Sequence, residues 1–302
     1  MKYLFATVIV LALLGFAFKS DIRAAFNGST DTTVIKEEGE KKNRKKNKEG
    51  DGAGVQRSDV RITQQWDLPD ILKEVSGITY LDKDRIACIQ DENGTIFIYN
   101  RTSRKIEKEI PFAGAGDYEG ITLNGTTAYV VRSDGRLYEV ADLNAAKPVV
   151  KEYSSFLNAE YNIEGLCFDG SANRLLLAAK DDKPGQPGYK SIYAFDLSSK
   201  TLGREPAYRI DLQHAMLGDG GGKKGFSPSA IGIHPVNRDI YVNDGPKSRL
   251  LILDRTGEPK KLVQLGSDFA QPEGITFSPQ GDVFISNEGK KGSGNILQVK
   301  ID

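Results

Sequence analysis

The sequence predicts an all-β protein: a five-bladed β-propeller of four-stranded antiparallel blades, closed by the N-terminal strand of the domain. Three observations carry that prediction. A start of one small polar or acidic residue, then Gly or Ala, then an aliphatic run recurs at Ser76-Gly77, Glu119-Gly120, Glu164-Gly165, Ser229-Ala230 and Glu273-Gly274. The second residues of these starts stand 43, 45, 65 and 44 residues apart, and a period of about 40–50 residues is that of a propeller blade. Each start is followed by further β-rich runs separated by turn residues, so every repeat reads as one antiparallel meander.

In chain order, residues 3–18 (YLFATVIVLALLGFAF) run without a charge between Lys2 and Lys19. That length falls between a signal-peptide core and a full span of about 20 residues. Residues 1–19 therefore read as a signal anchor or a signal peptide. The anchor is preferred because no small-x-small cleavage site follows closely. Either outcome exports the rest of the chain, which predicts a cell-envelope location, periplasmic or extracytoplasmic, anchored to the plasma (inner) membrane through residues 3–18. Residues 20–57 hold almost no large apolar side chain and cannot repay the entropy of ordering, so they read as a disordered charged linker. Its stretch 36–49, with seven basic and four acidic residues, is a solvated spacer in preference to a lipid-binding patch.

The propeller is assigned to residues 58–302. Blade one takes strands at 76–80, 85–90, 95–100 and 105–110; blade two at 119–123, 128–132, 136–140 and 149–153. Blade three takes 164–168, 174–180, 191–197 and 207–212, and blade four 229–233, 239–243, 250–254 and 261–265. The long third interval is explained by two insertions rich in loop residues, 181–190 and 213–226. Blade five has 273–277, 282–287 and 295–301 and then runs out of chain. The strand-like run 60–68 (VRITQQWDL) supplies its fourth strand, closes the ring and removes an exposed sheet edge.

Composition narrows the chemistry. With 41 basic and 41 acidic residues the net charge is zero, which excludes a nucleic-acid binder of the usual basic kind. Two cysteines and two histidines cannot build a thiolate or imidazole zinc site and supply a serine-histidine triad poorly. Cys88 and Cys167 fall in non-adjacent blades, outside disulfide reach, and are expected as buried thiols. His234 and Trp66 are expected to be structural. Chemistry must therefore run on carboxylates, hydroxyls, amides and backbone oxygens.

The first strand of a blade lines the central channel, so the blade starts Ser76, Glu119, Glu164, Ser229 and Glu273 meet at one mouth. Three carboxylates on one axis would be forced to take up protons unless a cation neutralises them. An all-oxygen ring suits hard Ca²⁺, with 6–8 ligands, better than Mg²⁺, which demands a tighter octahedron. These five residues are the candidate metal ligands. The ends of the second strands reach the same face, bringing Glu92, Arg132, Lys180 and Glu288 to the rim. Asn-Gly and Asp-Gly pairs there, such as Asn93-Gly94, also read as hairpin turns. Arg132 and Lys180 have no turn role and are candidates for holding an anionic ligand.

The phrases VSGITY (75–80), YEGITL (118–123), IEGLCFD (163–169), FSPSAIGIHP (226–235) and PEGITFSPQGDVFISNEG (272–289) resemble the SdiA-regulated protein family, bacterial envelope β-propellers with an N-terminal hydrophobic segment. The Ser, Glu, Glu, Ser, Glu order is also similar to the axial ring of the calcium-activated nucleotidases, five-bladed apyrases. That resemblance implies that the two serines offer backbone carbonyls to the ion. The expected function is an exported, membrane-tethered calcium-binding propeller whose face around the ion meets an anionic small molecule or an envelope protein. One alternative is a Ca²⁺-dependent phosphohydrolase or phosphodiesterase, with Glu92 or Glu288 activating water and Arg132 or Lys180 holding charge. The other is a protein-interaction platform without catalysis, using the two insertions.

Overall fold

The structure is a computed structural model and describes residues 59–181, 188–218, 225–290 and 292–302. The anchor and linker segments, together with residues 182–187 and 219–224 of the two insertions, lie outside the described residues.

Five sheets of antiparallel strands follow one another along the chain. Blade one is β2 (Val75–Tyr80), β3 (Arg85–Gln90), β4 (Asn93–Asn100) and β5 (Lys105–Ala115), after β1 (Val60–Asp67). Blade two is β6 (Tyr118–Asn124), β7 (Thr127–Arg132), β8 (Leu137–Ala141) and β9 (Val149–Tyr153). Blade three is β10 (Ile163–Asp169), β11 (Arg174–Ala179), β12 (Tyr189–Asp196), β13 (Thr201–Leu202) and β14 (Tyr208–Asp211). Blade four is β15 (Pro228–Ile233), β16 (Ile240–Asp244), β17 (Arg249–Leu253) and β18 (Pro259–Gln264). Blade five is β19 (Pro272–Phe277), β20 (Val283–Asn287) and β21 (Asn295–Ile301), completed by β1 in the order β1-β21-β20-β19. The closing strand pairs antiparallel from Val60 opposite Ile301 to Asp67 opposite Asn295. Among the described residues helical structure is confined to three single 3-10 turns.

Alternation along these strands places apolar side chains between successive sheets rather than within one, and five clusters result. Blades one and two share Ile89, Ile96, Tyr118 and Val130; blades two and three share Val131, Leu137, Leu177 and Tyr193. Blades three and four share Leu176, Ile192, Phe226 and Leu251; blades four and five share Leu250, Val263, Phe269 and Ile285. The last cluster joins blade five to blade one through Trp66, Leu72, Tyr99 and Phe284. Each blade is therefore held by burial on both faces, and β1 brings Trp66 into the seam that closes the ring. Cys88 and Cys167 are free, buried thiols. His234 stacks on Tyr241 and accepts Val236 N–H at Nδ1, a structural role.

Two local expectations are corrected. Asn93-Gly94 does not form the hairpin turn; both residues lie in β4. A Cβ at Gly94 would stand 2.6 Å from the Ala113 carbonyl oxygen, so glycine there serves a close backbone approach to β5. The outer strand of blade three is not one run. It splits into β13 and β14, both paired to β12, because the chain leaves the ladder across Arg204, Glu205 and Pro206. Proline has no N–H to donate to that ladder.

Candidate functional site

The first strands β2, β6, β10, β15 and β19 pack side by side around the axis, and each begins with the same irregularity. The register with the second strand shifts between Val75 and Gly77, Tyr118 and Gly120, Ile163 and Gly165, Pro228 and Ala230, and Pro272 and Gly274. The residue skipped in every case is the predicted ring residue: Ser76, Glu119, Glu164, Ser229 or Glu273. A β-bulge leaves one residue without a partner across the ladder and re-aims its side chain. The glycine that follows permits close contact with the next blade. A Cβ at Gly120 would meet Leu166 N at 2.8 Å, and one at Gly165 would meet Ile231 N at 2.9 Å.

The bulges open onto a cup of about 150 Å³ lined by Ser76, Glu119, Glu164, Glu273, Lys180 and Glu288, with Glu74, Asp91 and Gln271 completing the wall. Ser229, 1% exposed, lies behind this lining beside Glu273: a Cβ at Gly245 would touch both Ser229 Oγ, at 3.0 Å, and Glu273 Oε1, at 3.1 Å. The two serine hydroxyls are committed to the neighbouring blades. Ser76 Oγ donates to the Tyr118 carbonyl at 2.5 Å and Ser229 Oγ donates to the Pro272 carbonyl at 2.5 Å. Each serine thus ties its blade to the residue just before a ring glutamate.

Charge in the cup is unbalanced. Six carboxylates line it, and Lys180 alone among its described lining residues is basic. Lys180 Nζ stands 2.9 Å from Glu164 Oε1. Burial works against the lysine charge, but the pair with Glu164 outweighs it and holds the Lys180 pKa above its ordinary value. Burial pushes Glu119 up to about 10, with repulsion from Glu164 and Asp117 adding to it. Burial and then Glu164 push Glu273 up to about 8. Glu164 is raised by burial as well, although Lys180 opposes the shift. Asp91 rises to about 6 through burial and the nearby Glu74. Of the three ring glutamates only Glu164 has a cationic partner among the described residues, so Glu119 and Glu273 ionise only against the burial and repulsion that raise their pKa values.

The donor chemistry suits a hard divalent cation: oxygen only, an excess of carboxylates over cations among the described lining residues, and a buried Asp91 Oδ1 without a hydrogen-bond partner in the wall. The side chains do not form a finished shell. Among the described residues no three Asp, Glu, His or Cys groups stand together at metal-ligating spacing.

Of the rim candidates, Lys180 and Glu288 line the cup, and Gln271 Nε2 donates to Glu288. Glu92 and Arg132 do not. Glu92 is exposed, and Arg132 is held at 3.0 Å by Asp134. Sequence reasoning missed Glu74, Asp117 and Gln271. All three lie two residues before a ring position, where the five repeats read Glu74, Asp117, Asn162, Ser227 and Gln271. That second polar register was a usable signal.

Below the bulges the channel narrows to a waist formed by Ile78, Ile121, Leu166, Ile231 and Ile275, with a void of only about 10 Å³. Beyond the waist it widens into a second cup of about 410 Å³ at the opposite mouth, walled by Tyr80, Phe168, Phe277 and the hydroxyl-bearing Thr79, Thr122 and Thr276.

The chain matches the SdiA-regulated family over residues 52–291 and belongs to it. No curated protein matches the sequence. Among solved structures, glutaminyl cyclase of Myxococcus xanthus is similar in fold, with a TM-score of 0.56 and 13% identity over 80% of this chain and 96% of that one. The PQQ-bound aldose sugar dehydrogenase of Streptomyces coelicolor gives a TM-score of 0.49 and 12% identity over 80% of this chain and 98% of that one.

Proposed function

We propose that this member of the SdiA-regulated family is an exported calcium-binding propeller, tethered through residues 3–18, whose acidic face is a ligand or partner site organised by the ion. One observation carries the reading: three glutamates raised on equivalent bulges converge with a single lysine among the described residues of the cup, which leaves two of the three carboxylates without a cationic partner there. When bound, calcium supplies the neutralisation that the described lining of the cup does not. Ser76, Glu119, Glu164, Ser229 and Glu273 are the expected holders, with the serines contributing main-chain oxygen because their hydroxyls are already engaged. Asp91 is a further oxygen donor in the same wall.

The ion would also decide what the face accepts. Six carboxylates repel an anion, so an anionic molecule approaches this cup only by bridging to the cation. An envelope protein offering a carboxylate or carbonyl would meet the same requirement. A phosphohydrolase is not favoured. Glu288 and Lys180 line the cup, but Glu92 and Arg132 stand outside it, and Lys180 is spent on Glu164.

Metal analysis of the purified full chain joined to thermal melts tests the proposal. Bound calcium near one per chain is expected, with a melting temperature that drops in EDTA and returns when Ca²⁺ is restored. A metal-free protein whose melting temperature ignores both EDTA and added Ca²⁺ defeats it.

A further inference from the structure

At the face opposite the acidic cup, between blades three and four, lies a pocket of about 200 Å³ walled by Asp169, Ser171, Arg174, Tyr208, Arg238 and Arg255. Asp169 ends β10, at the far end of that strand from Glu164, and is 5% exposed. Its carboxylate accepts from Arg174 Nε at 3.0 Å, Arg238 Nη2 at 3.1 Å and Ser171 Oγ at 2.6 Å. Burial alone would raise its pKa, but the Ser171 and Arg174 hydrogen bonds outweigh that and keep it below the ordinary value. Arg174 Nη2 also donates to Tyr208 Oη at 2.9 Å, and its guanidinium lies 5.5 Å from the centre of that ring. Arg238 reaches Asp169 from a left-handed backbone, φ 66°, a conformation that costs a non-glycine residue energy.

These contacts fix two guanidinium planes but do not use them up. A guanidinium carries five N–H donors. Arg174 spends Nε and Nη2 here, and Arg238 spends Nη2 alone. One carboxylate against two arginines leaves one positive charge in the pocket, and Arg255 brings a second. Among the described residues no carboxylate lies within ion-pair distance of Arg255, whose side chain is exposed. A purely structural ion pair needs one cation for its acid; here two arginines share one carboxylate, and Arg255 lines the same pocket without an acid of its own among the described residues.

We infer that this pocket is an oxyanion site that takes the phosphate or carboxylate group of a small molecule. Arg174 and Arg238, oriented by Asp169, present their remaining N–H groups, and Arg255 closes over the anion from the solvent side. At about 200 Å³ the space suits a headgroup rather than a whole drug-sized ligand, which usually fills about 300–1,000 Å³. Ile233 forms part of this wall and part of the 410 Å³ cup, so the remainder of such a molecule has apolar surface next to it.

Calorimetric titration of the full chain with inorganic phosphate and, separately, with acetate tests the inference, after metal has been stripped on a chelating resin so that the acidic face recruits nothing through a metal and no chelator competes for the pocket. Saturable one-site binding of either anion in 150 mM salt is expected, and the tighter of the two assigns the class. Arg255→Glu, at an exposed position, should keep the wild-type melting temperature and weaken binding about tenfold or more, the scale of one lost hydrogen bond to a charge. Arg174→Gln should weaken it as well. Absence of saturable binding by both anions, or binding unchanged in Arg255→Glu, overturns the assignment.

Discussion

Glu119 is strongly disfavoured as a carboxylate in the acidic cup, and the sign of its pH dependence follows from where its proton goes. Its ordinary pKa is 4.5 and its folded value is about 10, so the native state keeps a proton that the unfolded chain has released. Glu273, at about 8, behaves alike. Stability from such groups is fully present below about pH 4.5 and declines as pH rises towards 8 and beyond. In EDTA the melting temperature should therefore fall between pH 5.5 and 8; the proposed calcium site predicts that excess Ca²⁺ takes the place of the protons and flattens the slope. Glu119→Gln should lessen the slope without calcium, the Glu273 share remaining, and should lose most of any rise in melting temperature that Ca²⁺ produces in the wild type. A wild-type curve that is level in EDTA would mean that these carboxylates do not share a desolvated site. The five ring residues were legible in the sequence because one register repeats five times. The Glu164–Lys180 pair was not, since it joins the start of one strand to the residue just past the end of the next. Sequence alone assigned that lysine to an incoming anion, whereas the fold gives it an internal acid first.

At the scale of a single strand, the combination that matters is bulge plus glycine. The bulge frees the ring residue from the ladder, and the glycine lets the next first strand approach until backbone meets backbone. Gly120→Ala and Gly165→Ala would each push a methyl against a main-chain nitrogen, at 2.8 and 2.9 Å, where no rotamer change can relieve the contact. Each should cost about 1–3 kcal/mol in urea unfolding, the range of overpacked cores. Gly114→Ala, which has no atom within 4 Å of the new methyl, should change the midpoint little. Equal effects at all three positions would show that strand propensity, not crowding at the axis, governs this ring. Most strand positions followed from alternation and turn residues, as in β3 and β9, whose bounds match the sequence reading. The failures lie at edges. Nothing in the pattern of blade three required its outer strand to split, because an outermost strand packs on one neighbour and Pro206 interrupts it at small cost. Asn93-Gly94 carries a turn signature, yet close packing against Ala113 decided its place.

For the whole molecule, closure rests on a single seam. Every other blade is continuous in sequence, whereas blade five is completed only when β1 returns to β21. Trp66 anchors that return. It is 7% exposed, packs against Phe284 at 6.3 Å, and lies 5.2 Å from the Arg101 guanidinium, which also faces Tyr80 and Phe284. Trp66→Ala should cost about 3–5 kcal/mol, the range for emptying a buried aromatic site, and should do so with a single unfolding transition. Removing residues 1–67 tests the seam more severely. The β21 edge would then offer its unpaired N–H and C=O groups along seven residues, from Asn295 to Ile301, and the blade-five cluster would lose Trp66. Such a chain should lose its cooperative melt and associate through the open edge, seen as concentration-dependent growth in light scattering. Adding a peptide of residues 58–68 in trans should suppress that growth by pairing with β21. A truncated chain that stays monomeric and melts like the intact protein would show that the five sheets hold the ring without the returning strand.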